Sequence, residues 1–270
     1  MFVCPKCKGQ LVALRCAHCG LEFPEYEEVP CLLSDQSEGS ASRTLREVYD
    51  EIYSHHENVW LDQGRSAGFP RYFGTLAQAR SSDSVLEIGC GEGLLLAELA
   101  GNEKYGIDPS LLALLRARRR SNARYAVARA EELPFPDESF DLVVSVGVME
   151  HFQNVDAATA EIRRVLKPAA RYVALLQTDM TRLQRLQVKA REYLLPLPRP
   201  VALLRWLRKK LSAKRIVQPF RKSYTAQSAA DCLTRNGLAV RRIVTRRSDP
   251  RAPLAGDHVV VLLAERTSAE

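Results

Sequence analysis

The sequence predicts an α/β chain: a doubly wound, mostly parallel seven-stranded sheet preceded by a small four-cysteine ribbon and interrupted by a helical insert. Three observations lead there. Short apolar runs alternate with helical patterns from Ser84 onward, a glycine-rich turn follows the first of those runs, and two C-x-x-C pairs stand near the start.

The chain has 270 residues, 46% hydrophobic and 26% charged, which is enough apolar material for one full core and a small appendage. No run of 18 apolar residues occurs, and Met1-Phe2-Val3-Cys4-Pro5 lacks the sections of a signal peptide, so a cytoplasmic protein is expected. Four of the seven cysteines fall in the pairs Cys4-Pro5-Lys6-Cys7 and Cys16-Ala17-His18-Cys19. Two knuckles joined by a short hairpin suit a closed, tetrahedral, structural zinc with Cys4, Cys7, Cys16 and Cys19 as ligands. Residues 1–33 form this ribbon, and the polar stretch 34–42 reads as a linker.

Residues 43–80 give two helices expected to cover the front of the core, the first carrying Leu45, Val48, Tyr49, Ile52 and Tyr53 at helical spacing, the second following Pro70. The core itself occupies 81–180 and 223–270. Its strands are expected at Ser84 to Ile88, Lys104 to Ile107, Tyr125 to Ala128, Phe140 to Val146, Arg171 to Gln177, Ala239 to Thr245 and His258 to Glu265. Helices are expected at Leu94 to Ala100, Ser110 to Arg120 and Ala157 to Leu166. Thr225 reads as the N-cap of a last helix that stops at Gly237.

Charge is unevenly placed. Between Thr181 and Lys222 thirteen cations face one anion, so this insert is +12 while the rest of the chain is −5 of the total +7. An anionic partner should meet the protein there. The Leu and Trp residues among those cations also suit peripheral contact with an anionic membrane.

The glycine turn Gly89-Cys90-Gly91-Glu92-Gly93 has G-x-G-x-G spacing with Leu94 next, which fits a dinucleotide poorly. Asp108 closes the next strand, where a carboxylate can accept both hydroxyls of a ribose. Glu87 to Gly93, Gly106-Ile107-Asp108-Pro109-Ser110, Glu131-Glu132-Leu133-Pro134-Phe135, Phe140-Asp141-Leu142-Val143, Val148-Met149-Glu150-His151 and Arg164-Val165-Leu166-Lys167-Pro168 appear in that order.

Together these motifs resemble the class I (Rossmann-like) S-adenosylmethionine-dependent methyltransferases, in the type 11 branch, over about residues 70–180. The resemblance implies that Gly89, Gly91 and Gly93 hold the methionine part of the cofactor, Asp108 the ribose, and Ala130 and Glu131 the adenine. Glu87, Cys90, Pro109 and Val146 complete that set. The chain departs from the pattern at Arg129, where many relatives carry an acidic residue for the adenine amino group, and at Ala169-Ala170, where they carry glycines. The ribbon resembles zinc modules found before some bacterial methyltransferase domains, including an RNA guanine methyltransferase group.

Methyl transfer is an in-line displacement that needs alignment more than catalytic side chains. For a hydroxyl acceptor, His151 is the candidate general base, with His55 and His56 as others able to reach a substrate pocket. The leading reading is O-methylation of a small-molecule or lipid- or carrier-linked acceptor. RNA base methylation using the ribbon and basic insert, and a non-catalytic partner-binding role, are the alternatives.

Overall fold

The computed structural model describes residues 2–34, 41–55, 68–179, 221–249 and 259–267. Residues Met1–Thr178 and Phe220–Glu270 cluster as one unit, and Asp179–Pro219 as a second. The basic insert, apart from Arg221 and Lys222, therefore falls outside the described residues, as do His56 and most of the expected linker.

The ribbon contributes four two-residue strands, β1 (Leu11–Val12), β2 (Arg15–Cys16), β3 (Glu25–Tyr26) and β4 (Val29–Pro30), paired as two antiparallel hairpins. The core strands follow as β5 (Ser84–Ile88), β6 (Glu103–Asp108), β7 (Arg124–Val127), β8 (Phe140–Val146), β9 (Leu166–Gln177), β10 (Leu238–Thr245) and β11 (Val259–Arg266). They form one seven-stranded sheet in the order β10-β11-β9-β8-β5-β6-β7. The run β9-β8-β5-β6-β7 is parallel, while β11 is antiparallel to both its neighbours. This is the class I methyltransferase fold that the alternating pattern predicts. Strand order reverses between β5 and β8, so a crevice opens beyond their carboxyl ends, where such sheets bind ligands.

Helices α1 (Ala41–His55), α2 (Phe69–Ala77), α3 (Leu94–Glu98), α4 (Leu111–Arg118), α5 (Val155–Val165) and α6 (Ala226–Arg235) complete the described elements. Their ends follow local chemistry. The Ser110 and Asn154 side chains accept from the N–H groups of Ala113 and Ala157, and Thr225 and Ser228 form a reciprocal capping box. Gly237, at φ 75°, ends α6 where the sequence places the stop. Strand β9 starts earlier than expected, at Leu166, and within it Ala169 adopts φ 57° where relatives carry glycines. Among the described residues no helix is long and apolar enough to cross a membrane.

Burial alternates along β5, so that Leu86 and Ile88 enter one apolar layer and Val85 the other. The ribbon joins both layers. Leu32 enters the layer that holds Leu86, while Cys31 and Leu33 enter the one that holds Val85, the period of a strand. Indeed Cys31 bridges Val127 in parallel, and the Leu32 amide donates to the Val127 carbonyl at 2.8 Å. Residues 31–33 thus cover the otherwise open edge of β7, which would be a template for another chain.

A second anchor sits at the other end of the ribbon. Phe2 stacks edge-on to Tyr105 and packs on Phe135, with ring centroids 5.9 and 5.5 Å apart. The Val3 amide donates to the Pro134 carbonyl, and Lys8 Nζ reaches the carbonyls of Pro5 and Leu133 and the Glu161 carboxylate at 2.8, 3.1 and 2.7 Å. Burial lowers the pKa of Lys8, and Glu161 opposes that shift. Lys8→Met would leave the Glu161 carboxylate and two carbonyls short of a donor. It is expected to destabilise the protein by about 2 kcal/mol in urea unfolding monitored by circular dichroism.

Candidate active site

The crevice is built first by backbone. Gly89, Gly91 and Gly93 take φ of 67°, 50° and 71°, the left-handed region in which a side chain is strained. A Cβ on Gly89 would lie 2.3 Å from Val148 Cγ2, and one on Gly93 2.9 Å from both Ala117 Cβ and the Tyr125 hydroxyl. Gly89→Ala combines a strained φ with an overpacked contact. It is expected to cost about 3 kcal/mol, read as a fall in thermal midpoint of the cofactor-free protein.

Asp108 ends β6 with only 5% of its surface exposed. Its Oδ2 accepts from the Gly91 amide and its Oδ1 from the Ser110 amide, both at 2.9 Å. Burial pushes its pKa up to about 6, against the pull of the two amides and with help from the Asp50 carboxylate. Pro109 follows it directly. Cys90 is buried below the loop, its amide on the Ile107 carbonyl at 3.0 Å.

Glu87 is fully buried, and neither carboxylate oxygen completes a hydrogen bond among the described residues. Burial drives its pKa far up, opposed by the Leu96 backbone amide and reinforced by the Asp108 charge. Val146 is buried at the carboxyl end of β8. On the far side, Ala130 is buried in a single 3-10 turn, Ala130–Glu132. The Glu131 Oε1 accepts from the Gln153 and Asn154 amides at 2.8 and 3.3 Å, so that oxygen caps the start of α5. Arg129 forms an ion pair with Glu132 at 2.9 Å.

Sequence reasoning missed what fixes α1 against α4. Asp50 Oδ1 accepts from the Ser110 hydroxyl and the Leu112 amide at 2.6 and 3.0 Å, capping α4 from outside its own helix. Arg116 donates to the Tyr53 carbonyl and to the buried Glu92 carboxylate, each at 2.8 Å. Burial and then the Asp108 charge raise the pKa of both Tyr49 and Tyr53, which places these phenols within electrostatic reach of the Asp108 carboxylate. An acidic residue on the buried side of an amphipathic helix was the only sequence signal for Asp50.

Of the three candidate bases, His151 is half-buried in the 3-10 turn Met149–His151 that follows β8. His55 is exposed at the last residue of α1, and His56 lies outside the described residues.

The four ribbon thiols form a second site. Their sulfurs all lie within 4.8 Å of one another, with Cys4 to Cys19 at 3.6 Å and Cys7 to Cys16 at 3.4 Å. Thiolates about 2.3 Å from a tetrahedral zinc stand about 3.8 Å apart, so the cluster has the size the ion requires.

A family described as "Methyltransferase domain" matches residues 86–174, the span from β5 to β9. Those residues form a methyltransferase domain of the class I, type 11 kind. The chain is 32% identical over 153 residues to the ubiquinone/menaquinone biosynthesis C-methyltransferase UbiE of Xanthomonas oryzae, covering 52% of this chain and 60% of that one. It is 31% identical to the demethylmenaquinone methyltransferase of Symbiobacterium thermophilum, covering 48% and 58%. The match thus spans about three fifths of the length of these relatives. In structure the chain resembles a SAM-dependent methyltransferase of Thermotoga maritima, with TM-score 0.60, 17% identity, and coverage of 83% of this chain and all of that one. A methyltransferase solved with the Trm112 methyltransferase activator of Haloferax volcanii gives TM-score 0.59 at 14% identity, over 84% and 99%. At such identities the likeness is one of fold.

Proposed function

We propose that this chain is an S-adenosylmethionine-dependent methyltransferase acting on a hydroxylated small molecule or a lipid- or carrier-linked acceptor, in the cytoplasm. The observation that carries this reading is Asp108: a buried carboxylate, steadied by two backbone amides and facing a crevice lined by left-handed glycines. A group held this way can accept two hydroxyl donors of a ribose without reorganising.

The residues fit the cofactor in two further respects. The glycine turn leaves free the space that side chains would fill, and the buried Glu87 carboxyl offers acceptor oxygens to an amino group. When bound, S-adenosylmethionine supplies a methyl group on a sulfonium, electrophilic enough for direct displacement. In this reading Gly89, Gly91 and Gly93 receive the methionine part. Asp108, with Pro109 behind it, orients the ribose, and Cys90, Ala130, Glu131 and Val146 wall the crevice. The chain's task is then to position the acceptor in line and exclude water.

The relatives' names speak of quinone biosynthesis, which supports an aromatic hydroxylated acceptor here. Two outcomes share one start, because removing a proton from a ring hydroxyl activates both its oxygen and the adjacent ring carbon. O-methylation is our reading, and C-methylation is what those names describe. We assign zinc to Cys4, Cys7, Cys16 and Cys19 as a closed structural ion, since four thiolates leave no open position.

Calorimetric titration with S-adenosylmethionine and S-adenosylhomocysteine tests the reading. Binding in the micromolar range is expected for both, and absence of binding to folded, zinc-loaded protein would overturn it.

A further inference from the structure

The 3-10 turn that carries His151 buries the residue before it. Glu150 is 3% exposed, and its carboxylate is only half satisfied: Oε1 accepts from the Gln177 amide at 3.3 Å, while Oε2 has no partner among the described residues. A buried carboxylate oxygen without a donor is costly, and such groups persist where a ligand supplies the missing bond.

Three placements put Glu150 on the crevice. Gly147, at φ 70°, redirects the chain at the carboxyl end of β8, the lip where the strand order reverses. Two residues before Glu150, Val148 fills the space beside Gly89, so this turn lies against the glycine loop. On α1, the Tyr49 phenol is raised by burial and then by the charges of both Asp108 and Glu150, so it lies within electrostatic reach of both carboxylates.

Other polar groups near it also lack partners. Gln153 Nε2 and the Tyr224 hydroxyl are buried and unbonded among the described residues. Tyr224 belongs to the segment whose Lys222 amide donates to the Glu150 carbonyl at 2.7 Å. Its pKa is pushed up to about 12 by burial first, with Glu150 among the charges adding to it.

Resting on the methyltransferase reading above, we propose that Glu150, not His151, is the catalytic carboxylate that receives the acceptor hydroxyl. Its free oxygen accepts the O–H hydrogen bond and then the proton. The oxygen so activated forms the bond to the methyl carbon, or the adjacent ring carbon does, in which case that carbon's own proton then leaves to solvent and the Glu150 carboxyl returns its proton to the ring oxygen. The sulfur–methyl bond breaks with its electron pair going to sulfur, leaving a neutral thioether. Tyr224 and Gln153 are placed to bond a second polar group on the same ring. A carboxylate that only accepts hydrogen bonds discriminates sharply between a hydroxyl and its methyl ether.

The test uses zinc-loaded, full-length protein saturated with S-adenosylhomocysteine, titrated with 1,4-dihydroxynaphthalene under anaerobic conditions and with 1,4-dimethoxynaphthalene. Wild type is expected to favour the dihydroxy probe by about tenfold or more, the scale of one charge-assisted hydrogen bond. Glu150→Gln should reduce that preference and Glu150→Met should erase it, with S-adenosylhomocysteine affinity unchanged within about twofold in both. If wild type shows no preference, or Glu150→Met discriminates as well as wild type, the proposal is wrong while the cofactor reading stands. Failure of wild type to bind S-adenosylhomocysteine would instead remove the methyltransferase reading itself.

Discussion

Asp108→Ala is expected to weaken S-adenosylmethionine binding about 100-fold by calorimetry while leaving the protein folded. Two hydrogen bonds from ribose hydroxyls to an ionised, buried carboxylate are lost, each on the order of 1.5 kcal/mol. The pH dependence gives an independent signature. Burial holds the carboxyl's pKa in the free protein at about 6, above its ordinary value of 3.8. The ionised form is the one that accepts both hydroxyls, so cofactor binding draws the pKa down. Affinity should therefore be full above pH 6 and fall as pH drops through that value. In Asp108→Ala this inflection should vanish. The same raised pKa means the fold disfavours the charge: the stability of the free protein is greatest with Asp108 protonated and declines as pH rises from about 4 to 6. An inflection that persists in the variant would show that another group carries it.

Removing metal should have the second largest effect. Dialysis against a chelator is expected to strip one zinc per chain, measured by atomic absorption, and to lower the thermal midpoint by about 5 °C or more. The ribbon is too short to order itself, and with it would go the Phe2 stack, the Lys8 contacts and the cover on β7. Limited proteolysis should then cut within residues 2–34 before it cuts the sheet. Cys16→Ser should mimic the chelated protein without chelator. A four-cysteine site that loses metal with no change in midpoint or cleavage would disprove the structural role.

Much of this was legible in the sequence where the determining interactions are local. The strand Ser84–Ile88, the glycine turn, the Thr225 cap and the Gly237 stop each follow from residues within a turn of one another. The thiol cluster was legible because metal geometry constrains spacing so tightly. Asp50 capping α4, Arg116 joining Glu92 to Tyr53, and residues 31–33 pairing with β7 were not. In each case the partner lies more than 20 positions away, and nothing in either segment alone names the other. Glu131 was assigned to the adenine on family likeness. The structure shows one of its oxygens engaged in capping α5, a duty that depends on where Gln153 and Asn154 come to rest. Nothing in the sequence separates Glu150 from the histidine beside it, and only three-dimensional burial distinguishes them.

The edge pairing also has a meaning in time. Leu32 and Val127 are hydrogen-bonded but about 95 residues apart, so on a ribosome adding 5–20 residues per second the ribbon is synthesised roughly 5–20 s before its seat exists. During that interval its thiols have only metal to organise them. Zinc capture can precede docking, and an ordered ribbon then meets β7 as soon as that strand emerges. A newly made chain would in this way carry its own edge protector, ready before the sheet edge that needs it.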